Sequence, residues 1–154
     1  MEKALIFAAV LVAVLLIFAL RAYRHHIAGT WLEQRDGDGP LERIRVTQIG
    51  PWVRARKELS GGWHDYKGTF NGRRLRLKRR DFGVDLLTAQ GFPLAIARML
   101  NGSVMARLEL QITPDGKRLE GVFYPHRVQF RKEPPKILSR EYLPPKNRTW
   151  QRSR

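Results

Sequence analysis

Two hydrophobic rhythms divide the chain. Residues Ala4 to Leu20, ALIFAAVLVAVLLIFAL, carry no charged or polar side chain. At about 1.5 Å of rise per residue, a helix of that length covers most of a hydrocarbon core. Lys3, Arg21 and Tyr23 flank the block and extend it by snorkelling and interfacial anchoring. A secretory signal peptide shares the basic start and the apolar run. This run is longer than the usual h-region, FALRAYRHH offers no small-x-small cleavage site, and Arg21 and Arg24 follow at once. The expectation is an uncleaved transmembrane anchor over residues 1–24.

From Ile27 onward the apolar period shortens to two. Ile44 and Val46 alternate with Arg43 and Arg45, Leu75 and Leu77 with Arg74, Arg76 and Lys78, and Val104, Ala106, Leu108, Leu110 and Ile112 with more polar neighbours. Strands with one dry and one wet face read this way. Between them stand RDGDGP, IGP, SGG, NG and TPDG, residues that reverse a chain, and Asn71-Gly72 suits a two-residue hairpin. The pattern predicts strands over 28–34, 41–49, 52–59, 62–71, 73–80, 82–87, 103–113, 117–125 and 127–132, with His126 in a turn. An open meander of that size would leave two unpaired edges, and closure removes them. The expected fold class is therefore all-β: an antiparallel up-and-down small barrel of about eight strands over 27–132. Trp31, Leu75, Leu77, Leu108, Leu110 and Phe123 are expected at its end or inside it. AQGFPLAIARMLNG (89–102), with Pro93 at a first-turn position and Ile96, Met99 and Leu100 on helical spacing, predicts a short helical lid.

GTWLEQ (29–34), followed by RIRVTQIG, YKGTFNGRRLRL and LQITPDGKRLEGVF, resembles the small lipocalin-like, calycin-type barrel domains of bacterial proteins, over about Ile27 to Phe130. The resemblance implies a barrel with Trp31 closing one end and, in many relatives, an interior that binds small apolar molecules. The insertion at 89–102 and the basic exterior depart from that pattern.

Charge changes the picture. The net charge is +15, and the anchor region, the barrel and residues 133–154 are each basic. RRLRLKRRD (73–81) is the densest stretch. With Leu75 and Leu77 inward, Arg74, Arg76, Lys78 and Arg80 form an outer row, and Arg43, Arg45, Arg54 and Arg56 alternate in the same way on other strands. If the rows merge they suit an anionic surface. An anionic lipid leaflet is the simplest, since juxtamembrane Lys and Arg contribute about 1 kcal/mol each near it. An acidic protein subunit is another, and nucleic acid is disfavoured because the outer faces lack stacking aromatics. A merely solvated strand face is the bland alternative. The segment 133–154 holds two Pro-Pro pairs with Ile137, Leu138, Tyr142, Leu143 and Trp150 among basic residues. Proline removes sheet donors, so a partner-docking tail is expected there.

Catalytic and cofactor motifs are scarce. There is no cysteine, and His25, His26, His64 and His126 have no metal-ligand spacing. Asp36, Asp38 and Glu42 lack the rest of a calcium loop and read as a hairpin turn. No P-loop, G-x-G-x-x-G or G-x-S-x-G occurs. No catalytic residue, cofactor or metal site is expected. Lys and Arg near the span favour a barrel on the cytoplasmic side of the inner membrane, with the N-terminus outside. The resulting expectation is a non-enzymatic single-pass membrane protein, an accessory or scaffold subunit of a larger complex. The alternative is a tethered carrier or sensor of a small apolar ligand.

Overall fold

The alternating stretches form strands close to where the pattern places them. A computed structural model describes residues 2–24, 26–35 and 40–153, with side chains at 6–20, 26–34 and 40–153. Helix α1 (Glu2–Arg24) leads to strands β1 (Gly29–Arg35), β2 (Glu42–Ile49), β3 (Trp52–Leu59), β4 (Gly62–Phe70) and β5 (Arg74–Phe82). Helices α2 (Val84–Ala89) and α3 (Leu94–Leu100) follow, then β6 (Val104–Ile112), β7 (Arg118–Arg131), β8 (Lys136–Tyr142) and β9 (Lys146–Arg152).

Strands β1 to β7 pair in chain order, and β9 lies between β7 and β1, so eight antiparallel strands close into a barrel. β8 stands outside the ring, paired with the second half of β7. Closure draws neighbouring backbones together. A Cβ at Gly68 would meet the Arg76 carbonyl oxygen at 1.8 Å, so only glycine permits β4 to approach β5 there.

The end where α1 joins, here called proximal, carries the β2–β3, β4–β5 and β6–β7 turns. It is sealed by Trp31. The indole Nε1 donates to the Ile27 carbonyl at 2.8 Å, and the Arg152 guanidinium lies 4.9 Å from the ring. Arg152 Nη2 also donates to the His26 carbonyl at 2.8 Å, and the Ile27 N–H donates to Gln48 Oε1 at 2.9 Å. Ile27, only three residues beyond α1, is fully buried. His26 and Ile27 are thereby tied to the barrel.

Three expectations need correction. First, residues 146–152 are a barrel strand, and Trp150 is fully buried inside instead of docking a partner. The proline pairs do exclude strand structure, but locally: Pro134-Pro135 lies between β7 and β8, and Pro144-Pro145 between β8 and β9. Of the other tail residues, Ile137 packs on an internal cluster, Leu143 is half-buried, and Leu138 and Tyr142 are exposed. The barrel therefore extends past residue 132. Second, 82–87 is not a strand, because Gly83, at φ 110°, ends β5 and Val84 begins α2. Leu87, Ile96, Ala97, Leu100 and Met105 form a second core with Val128, Phe130 and Ile137 of the β7–β8 hairpin. The helices thus cover that hairpin and leave the barrel interior to its own side chains. Third, His126 lies within a continuous β7. Pro125 pairs with Ala106 of β6, and the next residue already pairs with Tyr142, so the proline marks a change of partner.

Every described side chain of α1, from Ile6 to Leu20, is exposed. Among the described residues no helix is long and apolar enough to cross a membrane. The transmembrane part of the expected architecture stands without support from the fold.

Candidate functional site

The barrel interior is filled. Trp31, Ile44, Val46, Val53, Ala55, Tyr66, Phe70, Leu75, Leu77, Leu108, Leu110, Leu119, Phe123 and Trp150 pack into one cluster. All six side chains expected at the barrel end or interior are among the buried ones. Tyr66 and Trp150 meet edge to face with centroids 5.7 Å apart.

Toward the distal end the same inward positions turn ionic, which the sequence reading missed. Lys57 continues the inward phase of Val53 and Ala55, and its Nζ donates to Glu33 Oε2 at 2.5 Å and Glu42 Oε2 at 2.6 Å. Glu42 thus serves as a partner for buried Lys57. Asp36 and Asp38, its companions in the turn, lie outside the described residues. Trp150 Nε1 donates to Glu33 Oε1 at 3.3 Å, and Arg148 Nε stands 3.7 Å from the same oxygen. Burial opposes ionisation of Glu33, but Lys57, Arg148 and Trp150 outweigh it and hold the carboxyl below its ordinary range. Beside this group, Arg79 Nη2 donates to Asp81 Oδ2 at 3.1 Å. Arg79 and Arg148 both lie near the Phe123 ring, at 5.1 and 4.7 Å.

His64, 3% exposed, has Nε2 3.4 Å from Asp81 Oδ2, and neither ring nitrogen has a hydrogen-bond partner among the described residues. Burial pushes its pKa below the ordinary value, with Arg79 and Lys57 adding to the effect against the pull of Asp81. The imidazole is therefore neutral at pH 7. Burial also resists ionisation of Asp81, yet His64 and Arg79 hold its carboxyl below the ordinary range. Each buried cation in this layer has a carboxylate neighbour. The layer works chemically as an internal ionic staple, and among the described residues no cluster has the make-up of a metal site.

The outer wall is different. All eight arginines and lysines expected to contact an anionic surface, Arg43, Arg45, Arg54, Arg56, Arg74, Arg76, Lys78 and Arg80, are exposed. Register sets Arg45, Arg54, Arg56 and Lys78 opposite other cations, whereas Arg74 faces Gln111, Arg76 faces Thr69 and Glu109, and Arg80 faces Asp65. Arg45 sits opposite Arg56, Arg54 opposite Lys67, Lys67 opposite Lys78 and Lys78 opposite Arg107. One transverse row across β3, β4, β5 and β6 is thus Arg54, Lys67, Lys78, Arg107. Directly opposed like charges have Cβ atoms about 5 Å apart and destabilise a sheet. Asp65 relieves part of this strain from below, 2.9 Å from Arg54 Nε and 3.6 Å from Lys67 Nζ. Arg45, Arg76 and Lys78 form no ion pair among the described residues. Lys67 and Arg107 complete the row, and only the pairing register reveals their part in it.

At the proximal rim of the same wall the chemistry turns apolar. Ile49 pairs with Trp52, and these side chains are 82% and 67% exposed. They line a groove of about 540 Å³ together with Thr47, Gln48, Val53, Arg54, Lys67 and Gly68. No protein-family model matches this chain, and neither does any curated protein or solved structure.

Proposed function

We infer that this chain is a non-enzymatic single-pass membrane protein, an accessory or scaffold subunit of a larger membrane complex. In this reading α1 is the anchor and the cationic wall of the barrel is the docking face. The observation that carries it is the row Arg54, Lys67, Lys78, Arg107, in which like charges face one another across adjacent strands. Among the described residues Asp65 offsets Arg54 and Lys67, and Glu109 offsets Arg107, which leaves Lys78 uncompensated between them, and an acidic subunit surface would supply the missing partner.

The anchor reading is supported by the unbroken apolar run Ala4–Leu20 and by the exposure of its described side chains. The basic residues that follow the run favour a cytoplasmic barrel at the inner membrane. Membership of the lipocalin-like domains is favoured by the Gly29-Thr30-Trp31 opening of β1 and the seal that Trp31 makes beneath a closed barrel. Anionic lipid is a further partner of the wall. The expected want of stacking aromatics, which spoke against nucleic acid, does not hold, since Trp52 is exposed, Arg56 lies over Trp63, and Arg107 lies over Tyr124 and Tyr142. An apolar ligand would have to displace Trp31, Trp150, Tyr66 and Phe70 or pass an ionic layer, so the carrier alternative draws little support from the interior.

A tagged full-length chain, purified in gentle detergent at low and high salt with its eluate identified by mass spectrometry, tests the reading. The expected result is a stoichiometric set of membrane proteins that is lost from a Lys78→Glu/Arg45→Glu variant. A wild-type eluate containing no second protein would sink it.

A further inference from the structure

The chain carries a second apolar feature, and it sits beside the first. A cleft of about 580 Å³ is lined on one side by Phe18 and Ala19 of α1 and on the other by Gly50, Pro51, Thr69, Phe70, Asn71 and Gly72. The β2–β3 turn is thus level with the last turns of α1, six residues or about 9 Å short of Arg24 along the helix axis. That turn is Ile49-Gly50-Pro51-Trp52. Gly50, at φ 56°, makes the reversal, and it leaves the Ile49 and Trp52 side chains on the outer rim. Water-exposed Ile and Trp, paired across a hairpin tip, gain nothing from the barrel core.

We propose that the β2–β3 tip is a second membrane attachment: Ile49 and Trp52 enter the bilayer interface beside α1, and Arg54 and Lys67 meet anionic headgroups directly above them. Four observations agree on this occupant. The tip stands beside Phe18 and Ala19, within the 5–10 Å to which interfacial elements bury their apolar faces. Trp is the side chain most suited to that depth, having an apolar body and one N–H for the wet side. The groove running from Ile49 and Trp52 is bounded by Arg54 and Lys67, so the same hollow offers an apolar floor and a cationic rim. The Ile27 N–H is bonded to Gln48, which adjoins the tip, and Ile27 is only three residues beyond Arg24, so the helix end stays near the tip. The consequence is a barrel whose proximal rim meets the membrane at a fixed angle and leaves the rest of the cationic wall free for a subunit.

The proposal rests on α1 being embedded, so the test reads that separately. The full chain is reconstituted into phosphatidylcholine vesicles with and without phosphatidylserine, and retention after alkaline carbonate washing reports on α1. Fluorescence quenching by brominated acyl chains then reports on the tip. Trp31 and Trp150 are buried in the barrel, and Trp63 stacks on Phe82 at the far end, which leaves Trp52 as the reporter. The expected result is partial quenching that increases with phosphatidylserine, disappears in Trp52→Phe and weakens in Arg54→Gln/Lys67→Gln. Carbonate-resistant protein whose quenching is absent, or unchanged in Trp52→Phe, overturns the proposal and leaves the anchor intact. Protein released by carbonate overturns the anchor and the proposal with it. Quenching that ignores phosphatidylserine overturns the headgroup contacts.

Discussion

The two ends of one barrel solve the same problem with opposite chemistry. At the proximal end Trp31 and Ile27 exclude water by bulk, and the one buried polar atom of the indole finds the Ile27 carbonyl. At the distal end Lys57, Glu33, Asp81 and His64 occupy the same inward phase and are held by each other. Dispersion and area stabilise the first wherever the atoms fit, whereas the second depends on every partner and on the protonation state of each. One barrel therefore has a permissive end and a conditional end.

Trp31→Ala should have the largest effect, because it removes a fully buried indole, its hydrogen bond and its contact with Arg152. A loss of about 4–5 kcal/mol is expected in urea unfolding of the detergent-solubilised chain, nearly equal at pH 8 and pH 5.5. Lys57→Met should follow at about 3 kcal/mol, since Glu33 stays buried with only Arg148 and Trp150 to hold it. Adding Glu33→Leu should recover part of that loss, and a double variant weaker than the single one would show that the ionic layer stabilises in its own right.

Acidification sharpens the contrast at a third level. His64 has a folded pKa below its ordinary 6.5, so below that pH the unfolded chain binds a proton that the folded chain refuses. Stability should fall as pH drops through 6.5 and level off below the folded value. Glu33 and Asp81, whose pKa values are lowered, act in the opposite range. Their contribution is present above the ordinary carboxylate pKa and is lost at still lower pH, as each folded value is crossed. In His64→Gln the loss between pH 7 and 5 should shrink to the part that His126 supplies, whose pKa burial also lowers, while the acid limb remains, as read from urea midpoints across pH. A wild-type curve flat between those values would remove His64 from the account. The smallest effect belongs to the outer wall. Lys78→Gln should stabilise the domain by under about 0.5 kcal/mol at low ionic strength and by nothing in molar salt, because exposed repulsion is screened.

The barrel was legible in the sequence wherever alternation was strict, as in Val104 to Ile112 and Arg74 to Lys78. β9 escaped because its neighbours, the two proline pairs, read as a property of the whole segment, although each pair occupies only a turn. The ionic layer escaped for a related reason. A lysine among apolar residues reads as the wet face, yet the phase Val53, Ala55, Lys57 already assigns it inward, and Trp31 to Glu33 does the same on β1. The cationic rows were legible strand by strand. Which cations face one another was not, since it depends on register, and the hairpin turns leave that open by a residue or two.

Because β9 is the last strand in chain order and sits between β7 and β1, the ring has no closed intermediate. While the chain is being made, β1 and β7 present bare edges, and α1 has long since left the ribosome. Assembly of the ring is a clasp that β9 fastens last. A domain held open until then needs either speed or a chaperone to keep those edges from other chains.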